Sequence, residues 1–158
     1  MTQRIQTIWL FLATLALFSL FLFPSIQVVD PDGSVRIIKA SGVYGDRSDR
    51  IGQTVKILPF CTLTVMTIVL GLIPAVIAFF HQNRKRQIMA CYLTILAIVG
   101  YSFYFIEAAK QAVNDTVLGV TNYRMGLVFP SLAILFIILA IRGIRNDERL
   151  IKSADRLR

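Results

Sequence analysis

Residues 57–80 read ILPFCTLTVMTIVLGLIPAVIAFF, an apolar run of 24 residues that contains no charged side chain. A helix needs about 20 mostly apolar residues to cross the roughly 30 Å hydrocarbon core of a bilayer. This run therefore predicts a transmembrane helix. Three further runs have the same character, and the four predicted spans are residues 7–29, 57–80, 87–108 and 125–141.

The composition agrees with a membrane protein. The chain has 158 residues, of which 56% are hydrophobic and only 16% charged, whereas soluble domains are about a quarter charged. We predict an all-α membrane protein with one four-helix transmembrane domain over residues 1–158. The first apolar run resembles a signal peptide in having Arg4 before an apolar core, but the bulky sequence FLFPSIQVV follows it. Cleavage sites need small residues, so we expect a retained helix.

The charges predict an orientation in the membrane. With the N-terminus in the cytoplasm, that side carries ten basic and three acidic residues, and the other side seven basic and six acidic. Basic residues near helix ends favour the cytoplasmic side, and the compact sequence NRKR at 83–86 is the strongest single indication. We therefore expect a multi-pass protein of the bacterial inner membrane with both termini in the cytoplasm. The net charge of +8 lies between the apolar runs and in the tail, so nucleic acid is not the expected partner.

Residues 30–56 form the one sizeable loop outside the membrane. The sequence QVVDPDGSVRII places two β-prone runs around DPDG, which predicts a short β-hairpin. The following residues, KASGVYGDRSDRIGQ, are rich in Gly, Ser and Asp and are predicted to be irregular. A hairpin this short needs the helix ends or a partner to pack against.

The cytoplasmic tail, residues 142–158, is basic and predicted to be helical. Leu150, Ile151, Ala154 and Leu157 would share one helical face, opposite a charged face. Two interpretations remain open: an interfacial helix on anionic lipid headgroups, or a docking helix for another membrane subunit or a second copy. The candidate contact residues are the basic side chains at this end of the protein: Arg84, Lys85, Arg86, Arg145, Arg149, Lys152, Arg156 and Arg158.

Small residues and prolines mark the predicted helix contacts. Gly71, Ala75 and Ala78 in the second span, and Ala97 and Gly100 in the third, predict faces where helices approach closely. Pro74 should bend the second helix, as Pro130 should bend the fourth. Tyr101, Phe103, Tyr104 and Phe105 form an aromatic group that interfacial anchoring explains.

No catalytic chemistry is expected from the sequence. Cys61 and Cys91 lie at opposite depths, roughly 18 Å apart along the membrane normal, and a disulfide needs Cα atoms within about 7 Å. The single histidine, His81, cannot form a bis-histidine haem site. There is no hydrolase, metalloprotease or phosphate-binding motif. We expect no enzyme activity, no cofactor and no metal.

Transport has one weak candidate site. Ion-coupled transporters use ionisable residues deep in the bilayer, and only Glu107 lies near a span, at its outer edge and close to Lys110. An exposed pair at the boundary explains both residues. Glu107 and the possible hinge at Pro74 are the candidates for a transport role.

Two terminal stretches resemble a known family. The opening RIQTIWL and the closing ILAIRGIRNDERLIKSADRLR are similar to those of a bacterial family of small four-pass inner-membrane proteins of unknown function. The resemblance covers the whole chain and is most specific from Asp147 to Arg158. It implies four spans and a basic tail, and it supplies no activity, cofactor or site residue. A tail that only binds lipid could have almost any basic amphipathic sequence, whereas a family-like ending indicates a specific contact. We therefore give a protein contact of the tail the same weight as lipid anchoring.

The sequence therefore predicts a non-enzymatic integral inner-membrane protein that is an accessory or structural subunit of a larger complex. The alternative is a small oligomeric transporter or channel. A third hypothesis is an enzyme that acts on a lipid or quinone near Tyr101 and Tyr104.

Overall fold

The computed structural model describes residues 2–29, 35–46, 54–79, 84–112 and 122–155. These residues form four α-helices and four β-strands. The helices are α1 (Thr2–Leu22), α2 (Cys61–Phe79), α3 (Arg84–Ala112) and α4 (Val128–Asp155), and a 3-10 turn, Met125–Leu127, precedes α4. The strands are β1 (Ile26–Val29), β2 (Val35–Lys39), β3 (Gly42–Asp46) and β4 (Thr54–Pro59).

The four helices pack in a ring in chain order. α1 packs against α2 and, most extensively, α4, and α3 completes the ring by contacting α2 and α4. A Cβ atom on Gly143 of α4 would come within 3.0 Å of Gln6 of α1, so the start of α1 and the end of α4 lie side by side. The rings of Trp9 and Phe136 stack 5.9 Å apart along the same contact. The two helices are therefore antiparallel.

The bundle interior is apolar and tightly filled. Leu10, Leu17, Ile98 and Ile137 are each at most 1% exposed. Two buried threonine hydroxyls bond within their own helices: Thr14 donates to the Leu10 carbonyl oxygen at 3.1 Å, and Thr94 to the Ala90 carbonyl oxygen at 2.8 Å. Polar groups that are satisfied within one helix suit an environment without water.

Among the described residues, three helical segments are long and apolar enough to cross a membrane: Cys61–Phe79, Lys85–Ala112 and Met125–Asn146. The apolar segment of the first helix, Gln6–Leu22, is shorter. The predicted first span, 7–29, was therefore wrong at its end, because the helix stops at Leu22 and Ile26–Val29 forms a strand. Pro24 is the physical reason, since proline lacks an amide hydrogen and disfavours helical backbone in the residue before it.

The strands form one antiparallel sheet in the order β1-β2-β3-β4. The predicted pairing of residues on the two sides of DPDG is confirmed, with Ile26 opposite Ile38 and Val29 opposite Val35. The turn residues 30–33 themselves lie outside the described residues. The prediction that KASGVYGDRSDRIGQ is irregular was wrong for residues 42–46, which form β3, while residues 47–53 lie outside the described residues. A fourth strand, residues 54–59, follows this stretch and pairs with β3.

A glycine explains how the chain turns so soon after β2. Gly42 has a φ angle of 147°, a conformation that side chains rarely adopt. It follows the two-residue turn at Ala40 and Ser41 and starts β3 directly opposite Lys39. The glycine that made this stretch look irregular is therefore what allows the second hairpin to form.

One row of cross-strand neighbours attaches the sheet to the bundle. Ile26 pairs with Ile38, and Ile38 pairs with Val43. All three are at most 2% exposed and belong to the same continuous core as the helices. Cross-strand aliphatic pairs with one face buried fix the register of a sheet. The sheet is thus a built-in part of the domain.

α4 differs from the prediction at both ends. The helix begins at Val128 after the 3-10 turn and continues without a break to Asp155. Residues 142–155, predicted as a separate tail, are thus an extension of the fourth helix. Pro130 lies in the first turn, where its missing amide hydrogen has no helical partner to lose, so no bend is required there.

The predicted small-residue contacts hold only in part. A Cβ atom on Gly71 would lie 3.2 Å from the ring of Phe18, so this glycine does let α2 approach α1. The prediction for Gly100 was wrong, because a Cβ atom there would meet nothing within 4 Å. Pro74 is fully buried inside α2, and the helix runs through it to Phe79.

Candidate functional site

The end of the bundle where α1 starts and α4 leaves is rich in exposed basic side chains. Lys85 and Arg86 lie in the first turn of α3, and Arg142 and Arg145 lie on α4. All four are exposed. Because α3 begins at Arg84, the three bases of NRKR belong to the start of a helix.

One of these bases ties α4 to α3. The Nη2 atom of Arg145 donates a hydrogen bond of 2.8 Å to the hydroxyl oxygen of Tyr92, and the guanidinium carbon lies 5.9 Å from the ring centroid. Exposed contacts of this kind contribute about 0.5–1 kcal/mol. Arg145 thus has a partner within its own chain and connects α4 to α3 at this end of the bundle.

The remaining predicted contact residues are described in part or not at all. Arg84, Arg149 and Lys152 lie on helices, but their side chains are outside the description. Arg156 and Arg158 lie outside the described residues, as does His81. The structure therefore brings Lys85, Arg86 and Arg145 to one end of the bundle and leaves the contacts of the tail as a prediction.

The two residues considered for transport do not form one site. The Nζ atom of Lys110 donates a hydrogen bond of 3.0 Å to Oε1 of Glu107, and the two side chains are 44% and 64% exposed, as an exposed boundary pair predicts. Glu107 is near the end of α3, while Pro74 is close to the end of α2, where α3 begins. At about 1.5 Å per residue, they are separated by roughly 27 Å along the bundle.

The opposite end of the bundle holds a junction that the sequence did not predict. The backbone of Pro24 and Ser25 passes between the sheet and the segment before α4. Ser25 N donates to Ile38 O, Arg124 N donates to Ser25 O, and Gly126 N donates to Pro24 O, each at 3.0 Å. Backbone hydrogen bonds thereby join the segment after α1 both to strand β2 and to the segment before α4.

Gly126 is what permits this close approach. A Cβ atom on Gly126 would lie 2.5 Å from Ser25 Oγ, 2.6 Å from Ser25 Cα and 2.7 Å from Pro24 O. Two of these three are backbone atoms, which cannot move aside. The sequence carried a faint signal, since a glycine lies at the start of the fourth apolar run, but nothing in the sequence pairs it with Ser25.

The aromatic group on α3 divides between interior and surface. The prediction of interfacial anchoring was wrong for Tyr101 and Phe105, which are 5% and 2% exposed. Tyr101 and Thr67 share a buried hydrogen bond of 2.6 Å between their hydroxyl oxygens. Since the Thr67 hydroxyl donates to the Leu63 carbonyl oxygen at 2.7 Å, the proton in the shared bond comes from Tyr101. This bond joins α2 to α3 across the core.

Next to Tyr101 lies a cavity of about 420 Å³ among α1, α3 and α4. Its wall is mainly apolar, with hydroxyl groups as the polar exception. The residues that line it are Leu20, Tyr101, Ser102, Phe105, Ile106, Tyr123, Leu127, Pro130 and Ser131. Among the described residues, no three His, Cys, Asp or Glu side chains are close enough to hold a metal ion. Both cysteines are free, with Cys61 exposed and Cys91 buried.

Comparison with known proteins identifies the family. A family model described as a domain of unknown function, DUF4293, matches residues 2–157. The chain belongs to the DUF4293 family. The expected membership of an uncharacterised family is thereby confirmed over nearly the whole chain. No curated protein matches it. The DUF4293 match includes both the opening RIQTIWL and most of the basic tail, so both ends are part of the family's domain.

Proposed function

We propose that this DUF4293 protein is a four-pass integral protein of the bacterial inner membrane with both termini in the cytoplasm. We further propose that it has no catalytic activity and acts as an accessory or structural subunit of a larger membrane complex. The observation that carries this role is the continuous α4 helix, which extends through the basic residues of the tail to Asp155.

The outer surface of the bundle supports the membrane location. Only 28–33% of the residues in the three long apolar segments are buried. Large apolar side chains therefore face outwards on each helix, including Val65, Leu72 and Phe79 on α2, Leu93, Leu96 and Phe103 on α3, and Leu135 and Ile138 on α4. Soluble monomers rarely expose contiguous apolar patches larger than a few hundred Å². Lipid is the natural surrounding for such a surface.

α1 supports a fourth crossing despite its shorter apolar segment. Ile8, Phe11, Leu15 and Leu22 are 57–73% exposed and lie on one side of the helix. The 21 residues of α1 span roughly 32 Å at about 1.5 Å per residue, comparable with the hydrocarbon thickness. An even number of crossings returns the C-terminus to the side of the N-terminus, and the contact of Gly143 with Gln6 fits that arrangement.

The distribution of charge supports a cytoplasmic location for the end with Lys85, Arg86, Arg142 and Arg145. Lys and Arg near helix ends are retained on the cytoplasmic side during insertion. The sheet would then lie on the periplasmic side, covering the outer ends of α1 and α4.

The shape of α4 favours a protein contact over a tail lying flat on lipid. Its first charged residue is Arg142, and 14 helical residues, 142–155, follow the apolar part. At about 1.5 Å per residue these extend roughly 21 Å. A helix that continues from the fourth span without a break favours a direction out of the membrane plane, which supports contact with a protein over a tail lying flat on lipid.

The packed core gives less support to a transporter or channel. The residues along the middle of the bundle are apolar and almost fully buried, among them Leu17, Ile98 and Ile137. The hydroxyls of Thr14 and Thr94 donate to carbonyl oxygens of their own helices, which makes them less suited to line a polar path through the bundle.

Substitutions in the tail test the proposed role as a subunit. In the native host, the tagged chain is purified in mild detergent as wild type and with Arg149, Lys152 and Arg156 replaced by alanine. We expect a companion protein at constant stoichiometry with the wild type and at least a tenfold loss of it with the triple variant. Both chains should remain in the membrane fraction, because the spans are unchanged.

A matched variant controls for charge alone. Replacing Arg36, Lys39 and Arg124 with alanine removes the same charge from the sheet end and should leave the companion in place. A wild-type chain that purifies alone, or a companion that the tail variant retains in full, would contradict the subunit role.

A further inference from the structure

An open groove runs along the outer surface of the bundle between α2 and α3. It has a volume of about 550 Å³ and an almost wholly apolar lining. From α2 it is lined by Val69, Leu72, Ile73, Val76 and Ile77, and from α3 by Ala90, Leu93, Thr94 and Ala97. The groove is separate from the cavity beside Tyr101, and none of the predicted contact residues lines it.

The groove exists because α3 carries small side chains where it faces α2. Ala90, Thr94 and Ala97 follow the spacing i, i+4 and i+7, which places them on one side of the helix. The floor is closed, since Thr94 is 2% and Ile77 is 6% exposed. The rims are open, since Leu72, Val76 and Leu93 are 49–61% exposed. An elongated apolar group could therefore lie in the groove and still be reached from the bilayer.

A base stands at the cytoplasmic end of the same face. Arg86 precedes Ala90 by four residues and Ala97 by eleven, so it lies on the same side of α3 as the groove, nearer the start of the helix. The Cα–Cβ bonds of a helix tilt towards its N-terminus, so this side chain is directed away from the groove's apolar floor and towards the end of the bundle. It is exposed, and Lys85 is exposed beside it. The sequence contains no Asp or Glu between Asp49 and Glu107, so α2 and the first 23 residues of α3 offer positive charge only.

The dimensions match one leaflet of a bilayer. From Arg86 to Ala97 the helix rises roughly 16 Å at about 1.5 Å per residue. Half of a hydrocarbon core of about 30 Å is about 15 Å. The base therefore lies one leaflet thickness from the far end of the groove, at headgroup depth.

We propose that the α2/α3 groove is a binding site for one anionic phospholipid of the cytoplasmic leaflet. One acyl chain lies along Ala90, Thr94 and Ala97, and the headgroup phosphate is bound by Arg86. The site rests on the proposed membrane location. A helix from a second copy is the less suitable occupant, because a parallel copy in the same membrane brings its own bases to the level of Arg86, while its Glu107 lies near the other end of α3.

Binding is measured by native mass spectrometry on the full chain in mild detergent, titrated separately with phosphatidylglycerol and with phosphatidylcholine. We expect one phosphatidylglycerol per chain, bound at least fivefold more tightly than phosphatidylcholine, since a base near the membrane surface contributes about 1 kcal/mol to attraction of anionic lipid, which is a roughly fivefold effect. R86Q should remove this preference. R142Q removes the same charge from the same end and should keep it.

A second pair of variants tests the apolar part of the site independently. Ala97→Leu fills the groove and should reduce the bound lipid at least fivefold, for both headgroups. Gly100→Leu adds an even larger group one turn further along α3, where a Cβ atom meets nothing within 4 Å, and should leave binding unchanged. Each variant is first shown to be monodisperse and to unfold at the wild-type temperature within a few degrees.

Several outcomes would overturn the proposal. These are equal binding of both lipids, equal effects of R86Q and R142Q, or a dimer mass that A97L abolishes, which would assign the groove to a second copy. The proposed function has its own measurement, since extraction of the chain from membranes by alkaline carbonate would contradict the membrane location itself. A chain that resists carbonate and shows no headgroup preference would refute the lipid site alone.

Discussion

Replacing Gly126 with alanine should lower the free energy of unfolding by about 3 kcal/mol, the upper end of the range for overpacked sites. The added Cβ atom would lie 2.6 Å from Ser25 Cα and 2.7 Å from Pro24 O. Both are backbone atoms that are held in place by hydrogen bonds to Ile38 and Gly126. The substitution therefore has to break the junction between the sheet and α4. Unfolding of the purified chain in detergent, followed by circular dichroism, measures the loss.

Two further substitutions separate this effect from that of a helix-favouring alanine. Ser25→Ala removes a buried hydroxyl that has no hydrogen-bond partner in the described part of the chain, so stability should stay equal or rise by up to about 1 kcal/mol. Ser25→Ala should not rescue the alanine at position 126, because the Cα atom and the Pro24 carbonyl remain. Gly100→Ala should be neutral or stabilising. A G126A protein as stable as wild type would show that the junction is not closely packed.

Replacing Ala140 with leucine should cost about 1–3 kcal/mol of stability through overpacking. Ala140 is 0% exposed. It lies four residues after Phe136, which stacks on Trp9, and three before Gly143, which abuts Gln6. All three positions share the side of α4 that faces α1. A leucine here has no room unless the two helices separate along their main contact. The same detergent unfolding measurement applies.

The matched control lies on the opposite side of α4. Leu135→Ala changes side-chain volume by the same amount at a position that is 49% exposed, and surface changes of this kind alter stability by about 0.5 kcal/mol or less. If A140L and L135A were equally stable, the α1–α4 contact would not be the close one described.

Hydropathy was sufficient to predict the helices and insufficient to predict their ends. Most of the second, third and fourth apolar runs became α2, α3 and α4, because an almost uncharged run of about 20 residues favours a helix in an apolar environment. The predicted second span, 57–80, was wrong at its start, because residues 57–59 form the end of β4. The first run misled, since Ile26–Val29 is as apolar as the helix before it and hydropathy does not distinguish a strand from a helix. Pro24 indicated that the helix ends there, but the apolar composition on both sides of it favoured one continuous span.

The sheet illustrates a different limit. DPDG is a local turn signal and correctly predicted the pairing of β1 with β2. The later strands depend on contacts that are distant in sequence, such as the burial of Val43 against Ile38 and of Ile26 on the bundle. Local composition at 40–53, rich in Gly, Ser and Asp, indicates a loop whenever those tertiary contacts are unknown.

Some of the candidate sites could be predicted from local sequence, and others depend on contacts between elements that are distant in sequence. Charge patterning predicted that Lys85, Arg86 and Arg145 meet at one end, and local spacing predicted the exposed pair of Glu107 and Lys110. The Ser25–Gly126 junction, the hydrogen bond of Tyr101 with Thr67 and the α2/α3 groove each join residues from different elements. Only the packing of the helices brings these residues together, so one sequence alone does not reveal them.

The central claim, a four-pass protein with its basic end in the cytoplasm, is tested most directly by single-cysteine labelling. In a chain with Cys61 and Cys91 replaced by alanine, Lys39→Cys marks the sheet end and Lys85→Cys the basic end. We predict that a membrane-impermeant maleimide labels the first in intact spheroplasts and the second only after the membrane is disrupted. Equal labelling of both in intact spheroplasts, or the reverse pattern, would contradict the account.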